Sequence, residues 1–242
     1  TAWREAFGGG LVVTCGLRNV GAPSEGQGMH GTFGQLPAQD VVVSRSLEDA
    51  TVTVTGLIVD DTQSPTLEVH RRITTHAGMG RLVLEDVATN VGDTPEAAPL
   101  LYHCNFGFPL WSDAARLELT EVSTVARDAA SEDVLDAWWK PPSVEVGTER
   151  VLEHHIEAGR PGWARVLNAD LGVGVTLRWN SDALPIINQW LDPNPGMAVL
   201  GVEPSNCRTR GRAYDREHGV LPVLEPGEIR HTGITIEADC LD

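Results

Sequence analysis

His103 stands in the run Pro99-Leu100-Leu101-Tyr102-His103-Cys104-Asn105-Phe106-Gly107-Phe108-Pro109. Successive side chains of an extended chain point to opposite sides, so Leu101, His103 and Asn105 share one face and Tyr102, Cys104 and Phe106 the other. An imidazole and an amide two residues apart, beside aromatic rings and closed by Gly and Pro, can form the polar floor of a pocket. Histidine is also the side chain best suited to give or take a proton near neutrality. The same pattern serves equally for a core histidine bonded to backbone. A second candidate is Glu203, in Gly201-Val202-Glu203-Pro204 at the end of an otherwise apolar run. A carboxylate at a strand end faces the place where pockets open, and partial burial there raises its proton affinity into the range of a usable base.

Other residues could complete such a site. His30 lies in Gly28-Met29-His30-Gly31, where flanking glycines let a ligand approach the backbone closely. Arg71 alternates with Leu67, Val69 and Ile73, so it needs either a buried acidic partner or a pocket to point into. Gln189 and Trp190 offer an amide and an indole face, the combination that holds sugars by stacking and paired hydrogen bonds. Glu149, His154 and His155 add further polar groups. These side chains come from separate segments without His-x-His or His-x-x-x-His spacing, so the chemistry read from them calls for no metal or other cofactor. Phosphate-loop, dinucleotide and Gly-x-Ser-x-Gly fingerprints are absent.

The elements that must position these groups read as strands. Residues 11–15, 51–55, 67–73, 81–87 and 172–179 are β-branched or alternate with period two, and Gly, Pro, Asn or Asp clusters bound them. Residues 197–202 read as apolar on both faces, which places them inside a stack of sheets. Helical periodicity is confined to residues 129–139. Nothing splits the chain, so residues 1–242 are expected to form a single all-β domain, a large antiparallel sandwich.

Composition narrows the partners. The 242 residues carry 18 basic against 34 acidic side chains, a formal charge of −16. So acidic a surface repels phosphate backbones and anionic lipid, which argues against nucleic acid or membrane as partner. No stretch approaches the ~20 apolar residues of a membrane helix. The four scattered cysteines, Cys15, Cys104, Cys207 and Cys240, read as reduced structural thiols, and a cytoplasmic location is expected.

Several of these segments together resemble the DUF4432 family, which is similar to the aldose 1-epimerases (galactose mutarotases). They are Met29-His30-Gly31 with Leu36-Pro37-Ala38, the alternating row through Arg71 and Ile73, Glu85-Asp86-Val87 with Asn90, the block from Leu101 to Pro109, Leu200 to Pro204, and Leu221-Pro222 with Pro226-Gly227-Glu228. The resemblance runs in order from about Phe7 to Ala238. It implies the β-supersandwich of galactose mutarotase-like proteins, with a concave face that binds a monosaccharide. It also implies that His103 protonates the ring oxygen and Glu203 deprotonates the anomeric hydroxyl, with His30 and Arg71 touching sugar hydroxyls. Family members carry further strands ahead of the position of Phe7. Without them a sheet edge would be left to another chain, which makes a homodimer one expected arrangement.

Three functions are therefore expected in turn. The first is interconversion of sugar anomers by the His103/Glu203 pair, with Asn105, Glu149, Gln189 and Trp190 holding the sugar beside His30 and Arg71. The second is an epimerase, isomerase or lyase working next to a sugar carbonyl, with a divalent ion on His30, His103 and Glu203. The third is a carbohydrate-binding module without turnover.

Overall fold

The computed structural model describes residues 10–120, 122–143 and 146–241. Phe7, where the family resemblance begins, lies outside the described residues. Sixteen strands follow one another along them. The first half contributes β1 (Val12–Gly16), β2 (Gln39–Ser46), β3 (Thr51–Asp60), β4 (Leu67–His76), β5 (Arg81–Asn90), β6 (Glu96–Ala97), β7 (Leu100–Phe106) and β8 (Ala115–Leu119). The second half contributes β9 (Val122–Ala126), β10 (Arg150–Ile156), β11 (Gly162–Asn168), β12 (Val173–Trp179), β13 (Ile186–Asp192), β14 (Val199–Ser205), β15 (Val223–Leu224) and β16 (Ile229–Cys240). Residues 129–139 give a 3-10 turn over Ala129–Ala137. A short helix, α1 (Arg212–Glu217), has no counterpart in the sequence reading because six residues are too few to show a periodicity.

Two large antiparallel sheets result, and β6 and β15 pair in a small two-stranded one. The smaller of the two large sheets has the order β1-β7-β14-β13-β10-β9, the larger β2-β3-β4-β5-β16-β12-β11-β8. Their facing sides form the core, where Tyr102, Cys104, Leu200, Val202 and Ile187 meet Leu67, Val69, Leu84, Ile234 and Leu177. This is the all-β supersandwich expected. β14 is buried on both faces from Leu200 to Ser205, as expected of a strand inside the stack, while Met197 lies in the turn before it, exposed.

Buried charges are paired. Arg18 and Asp60, both fully buried, meet at 3.0 Å. Arg71 on β4 donates to both carboxylate oxygens of Asp86 on β5 and to Thr14 Oγ1 on β1, and the Tyr102 hydroxyl donates to Asp86 at 2.8 Å. The two sheets are thus tied by a polar network that crosses the core. At one edge of the larger sheet, β2 presents Val41, Val42 and Val43 with more than half of each exposed. Among the described residues no helix is long and apolar enough to cross a membrane.

Candidate functional site

The smaller sheet has a second face, turned away from the core, and its register decides which side chains gather there. His103 and Asn105 on β7 project from it, beside Val13 of β1. On β14 the same face carries Gly201, Glu203 and Ser205, and Gly201 stands opposite Asn105. On β13 it carries Asn188, opposite Glu203, and Trp190, opposite Gly201.

These registers bring His103 and Glu203 into contact. His103 Nε2 lies 3.0 Å from Glu203 Oε1, with both side chains almost entirely buried. Burial by itself would drive the proton off His103, but the Glu203 charge and hydrogen bond, the Asn105 amide and the Glu149 charge together raise its proton affinity. Glu203 beside it thus favours the imidazolium form of His103. Gly201 is what lets this pair pack close to the strand. A Cβ at that position would sit 2.6 Å from Glu203 Oε1, 3.2 Å from Trp190 Cβ and 3.3 Å from His103 Cε1. Its absence makes a notch in the strand that the Glu203 carboxylate, the His103 ring and Trp190 close around.

The rest of the rim follows from the loops. His30 takes a left-handed backbone at φ 58°, and Gly31 after it at φ 70°. Any side chain on Gly31 would strike the carbonyl oxygens of Gly16, Leu17 and Asn19. This tight turn brings the His30 ring to 6.3 Å from that of His103, edge to face. Its Nδ1 accepts from the Gly21 N–H, which leaves the ring proton on Nε2. Burial, with the neighbouring His103 and Arg127 charges, pushes the His30 imidazole down to about 3, so it is neutral at working pH. The Trp190 ring meets His103 edge-on at 5.5 Å, and its Nε1 donates to Glu149 Oε2 at 2.9 Å. Asn105 Nδ2 donates to the backbone, while its buried Oδ1 accepts no hydrogen bond within 3.5 Å among the described residues.

Six of the eight expected site residues therefore gather on one face: His30, His103, Asn105, Glu149, Trp190 and Glu203. Two do not. Gln189 precedes Trp190 and so points the other way, into the core, where it holds His154 Nε2 at 2.9 Å and the Trp138 carbonyl at 2.8 Å. Arg71 lies between the sheets, bound to Asp86 and stacked on Phe33. It borders a cavity of about 480 Å³ on the larger sheet that His103 and Glu203 do not line. A second cavity of about 440 Å³ is on that sheet too. Both are grooves between strands. Histidines and carboxylates line the first (His70, His231, Glu85 and Asp86), but the His103–Glu203 contact is on the opposite sheet.

Gly201, Asn188 and Arg127 join the site without having been singled out by type. The one signal for Gly201 was a glycine inside a strand, which marks close approach by another group. Farther along the same face, Glu153 is buried against Arg208 and Arg210, which hold its carboxyl below the usual range despite burial. Among the described residues no group of three or more His, Cys, Asp or Glu side chains is placed to hold a metal ion.

The model of a domain of unknown function, DUF4432, matches residues 1–238. The chain belongs to the DUF4432 family. No curated protein matches this DUF4432 chain. Among solved structures it is similar to a candidate aldose 1-epimerase from Klebsiella pneumoniae, with a TM-score of 0.86 and 23% identity. That match covers 96% of this chain but 63% of the other, so the chain spans less than two thirds of its relative's length. It is also similar to a galactose mutarotase related enzyme from Lactobacillus acidophilus (TM-score 0.62, 17% identity, 89% of this chain and 76% of that one). A third is an aldose epimerase homologue from C. elegans (TM-score 0.59, 15% identity, 95% and 82%). At these identities the likeness establishes a galactose mutarotase-like fold.

Proposed function

We propose that this protein interconverts the α and β anomers of a monosaccharide, with His103 as general acid and Glu203 as general base. The observation that carries this reading is their 3.0 Å contact at the Gly201 notch. The two oxygens that must exchange protons in anomerisation, the ring oxygen and the C1 hydroxyl, are bonded to one carbon. An acid and a base in contact can serve them together. Glu203 removes the proton of the C1 hydroxyl while His103 donates one to the ring oxygen. The bond from C1 to the ring oxygen breaks and C1 becomes a carbonyl. After rotation about the C1–C2 bond the same two protons return by the same route, and the ring closes on the other face. Neither transfer requires a cofactor. Each positioned group contributes about 10²–10⁴-fold.

The contact also ranks the alternatives. Epimerisation or elimination beside a carbonyl needs proton transfer at carbon and at an oxygen on a neighbouring atom, so its acid and base are better set apart. Trp190, with the His30 ring and the Asn105 Oδ1 acceptor, supplies the stacking surface and hydrogen bonds that would seat a neutral sugar. Buried thiols at Cys104 and Cys207 fit a reducing compartment such as the cytoplasm. The test is NMR exchange or polarimetry on a panel of aldoses, with Glu203→Gln and His103→Ala. Loss of exchange in both supports the reading. Unchanged rates in both remove it, and saturable quenching of Trp fluorescence without any exchange would leave a binding module.

A further inference from the structure

Four side chains from four segments line up across the outer face of the smaller sheet. Arg127, just beyond β9, donates from Nη2 to Glu149 Oε1 at 3.4 Å. Glu149, just ahead of β10, accepts the Trp190 indole N–H on its other oxygen at 2.9 Å. Trp190 in turn stands edge-on to His103. Both carboxylate oxygens of Glu149 are thus committed to protein donors, which leaves it poorly placed as a direct sugar contact. Its effect on the site passes through the groups it holds.

We propose that Glu149 is a positioning residue, fixing the Trp190 ring at the wall of the Gly201 notch and setting a negative charge beside His103. The catalytic meaning of this rests on the acid–base reading of His103. The arrangement itself does not. An indole side chain has several rotamers available, and a charge-assisted bond to its N–H selects one. The titratable and charged groups that face His103 are Glu203 on β14, the neutral His30 in the loop after β1, Glu149, and Arg127 through both His30 and Glu149. Glu203 and Glu149 hold the proton on His103, whereas burial disfavours it.

The experiment follows the His103 imidazole by NMR through a pH titration of the sugar-free protein. Glu149→Gln keeps a carbonyl for the indole but removes the charge. It is expected to lower the His103 midpoint by roughly half a pH unit. Trp190→Phe leaves the charge and breaks the tether, so the midpoint stays and the sugar concentration for half-saturation rises several-fold. Arg127→Gln, which removes the opposing cation, moves the midpoint up and covers the case in which the Glu149 variant does not fold. An unmoved midpoint in Glu149→Gln, or a downward move in Arg127→Gln, overturns the proposal. In exchange kinetics the alkaline limb of the Glu149→Gln rate profile shifts to lower pH, because the acid loses its proton sooner. Absence of exchange by the unaltered protein would sink the anomerase reading while the titration still decides the role of Glu149.

Discussion

His103 and Glu203, far apart in sequence, meet at 3.0 Å because β7 and β14 are hydrogen-bonded neighbours. On the proposed mechanism the two groups act as one unit, so that removing either disables both. The single variants His103→Ala and Glu203→Gln are each expected to lose about 10²–10⁴ in exchange rate. The double variant should lose little more than the worse single one, as with other catalytic residues that work together. Rates from NMR exchange at saturating sugar test this. Multiplying losses would mean that the two groups act separately.

Gly201→Ala is a sharper probe of the notch. The added methyl would lie 2.6 Å from Glu203 Oε1, and the side chain that must yield is the carboxylate itself. A displacement of about 1 Å in a reacting group can cost ~10²-fold, and because Gly201 is buried the added methyl also costs the fold about 1–3 kcal/mol. The expected outcome is a protein that still folds, with a lowered thermal midpoint, and an exchange rate per folded molecule reduced by one to two orders of magnitude. A fully active Gly201→Ala protein would place the reacting sugar elsewhere.

The strands were legible because alternation is written locally. Thr51 to Thr55 and Arg81 to Val87 show it, and both belong to longer strands. What the sequence does not carry is register. The face on which His103 projects was readable relative to Asn105, but the partner opposite it was not. Between the neighbours Gln189 and Trp190, one must face the core, and local pattern cannot say which. Pairing of β13 with β14 turned Trp190 outward, and Gln189 found His154. For Arg71 the two readings were a buried acidic partner or a pocket. Asp86, directly opposite on β5, supplied the partner.

Arg71 therefore bears on stability more than on sugar. Its guanidinium is partly exposed, but the Asp86 carboxylate it neutralises is fully buried. Removing one member of such a pair leaves an uncompensated buried charge, at a cost of about 3–5 kcal/mol. Arg71→Leu should lower the urea midpoint accordingly, and adding Asp86→Asn should recover part of the loss. Exchange per folded molecule should be unaltered by Arg71→Leu. A selective rise in half-saturating sugar without loss of stability would return Arg71 to the binding site.

Acid sensitivity has an identifiable source in two buried imidazoles. Burial pushes His154, on the core side of β10, down to about 4, and His30 to about 3. In the unfolded chain both take protons near pH 6.5. Between that pH and their folded values the unfolded chain binds more protons, so stability falls as pH drops. At pH 5 the loss is on the order of 2 kcal/mol for each histidine. Paired carboxylates such as Asp60 and Glu153, held below the usual range, release their share only at lower pH. His103 has the opposite sign: its raised affinity stabilises the fold below its unfolded value and is lost as pH rises. The interval from pH 6.5 to 5 therefore isolates the two imidazoles. His154→Gln keeps an amide for Thr124 and Gln189 but cannot titrate. Urea unfolding at pH 7 and pH 5 should show a smaller difference for it than for the parent protein, and an equal difference would remove His154 as a cause.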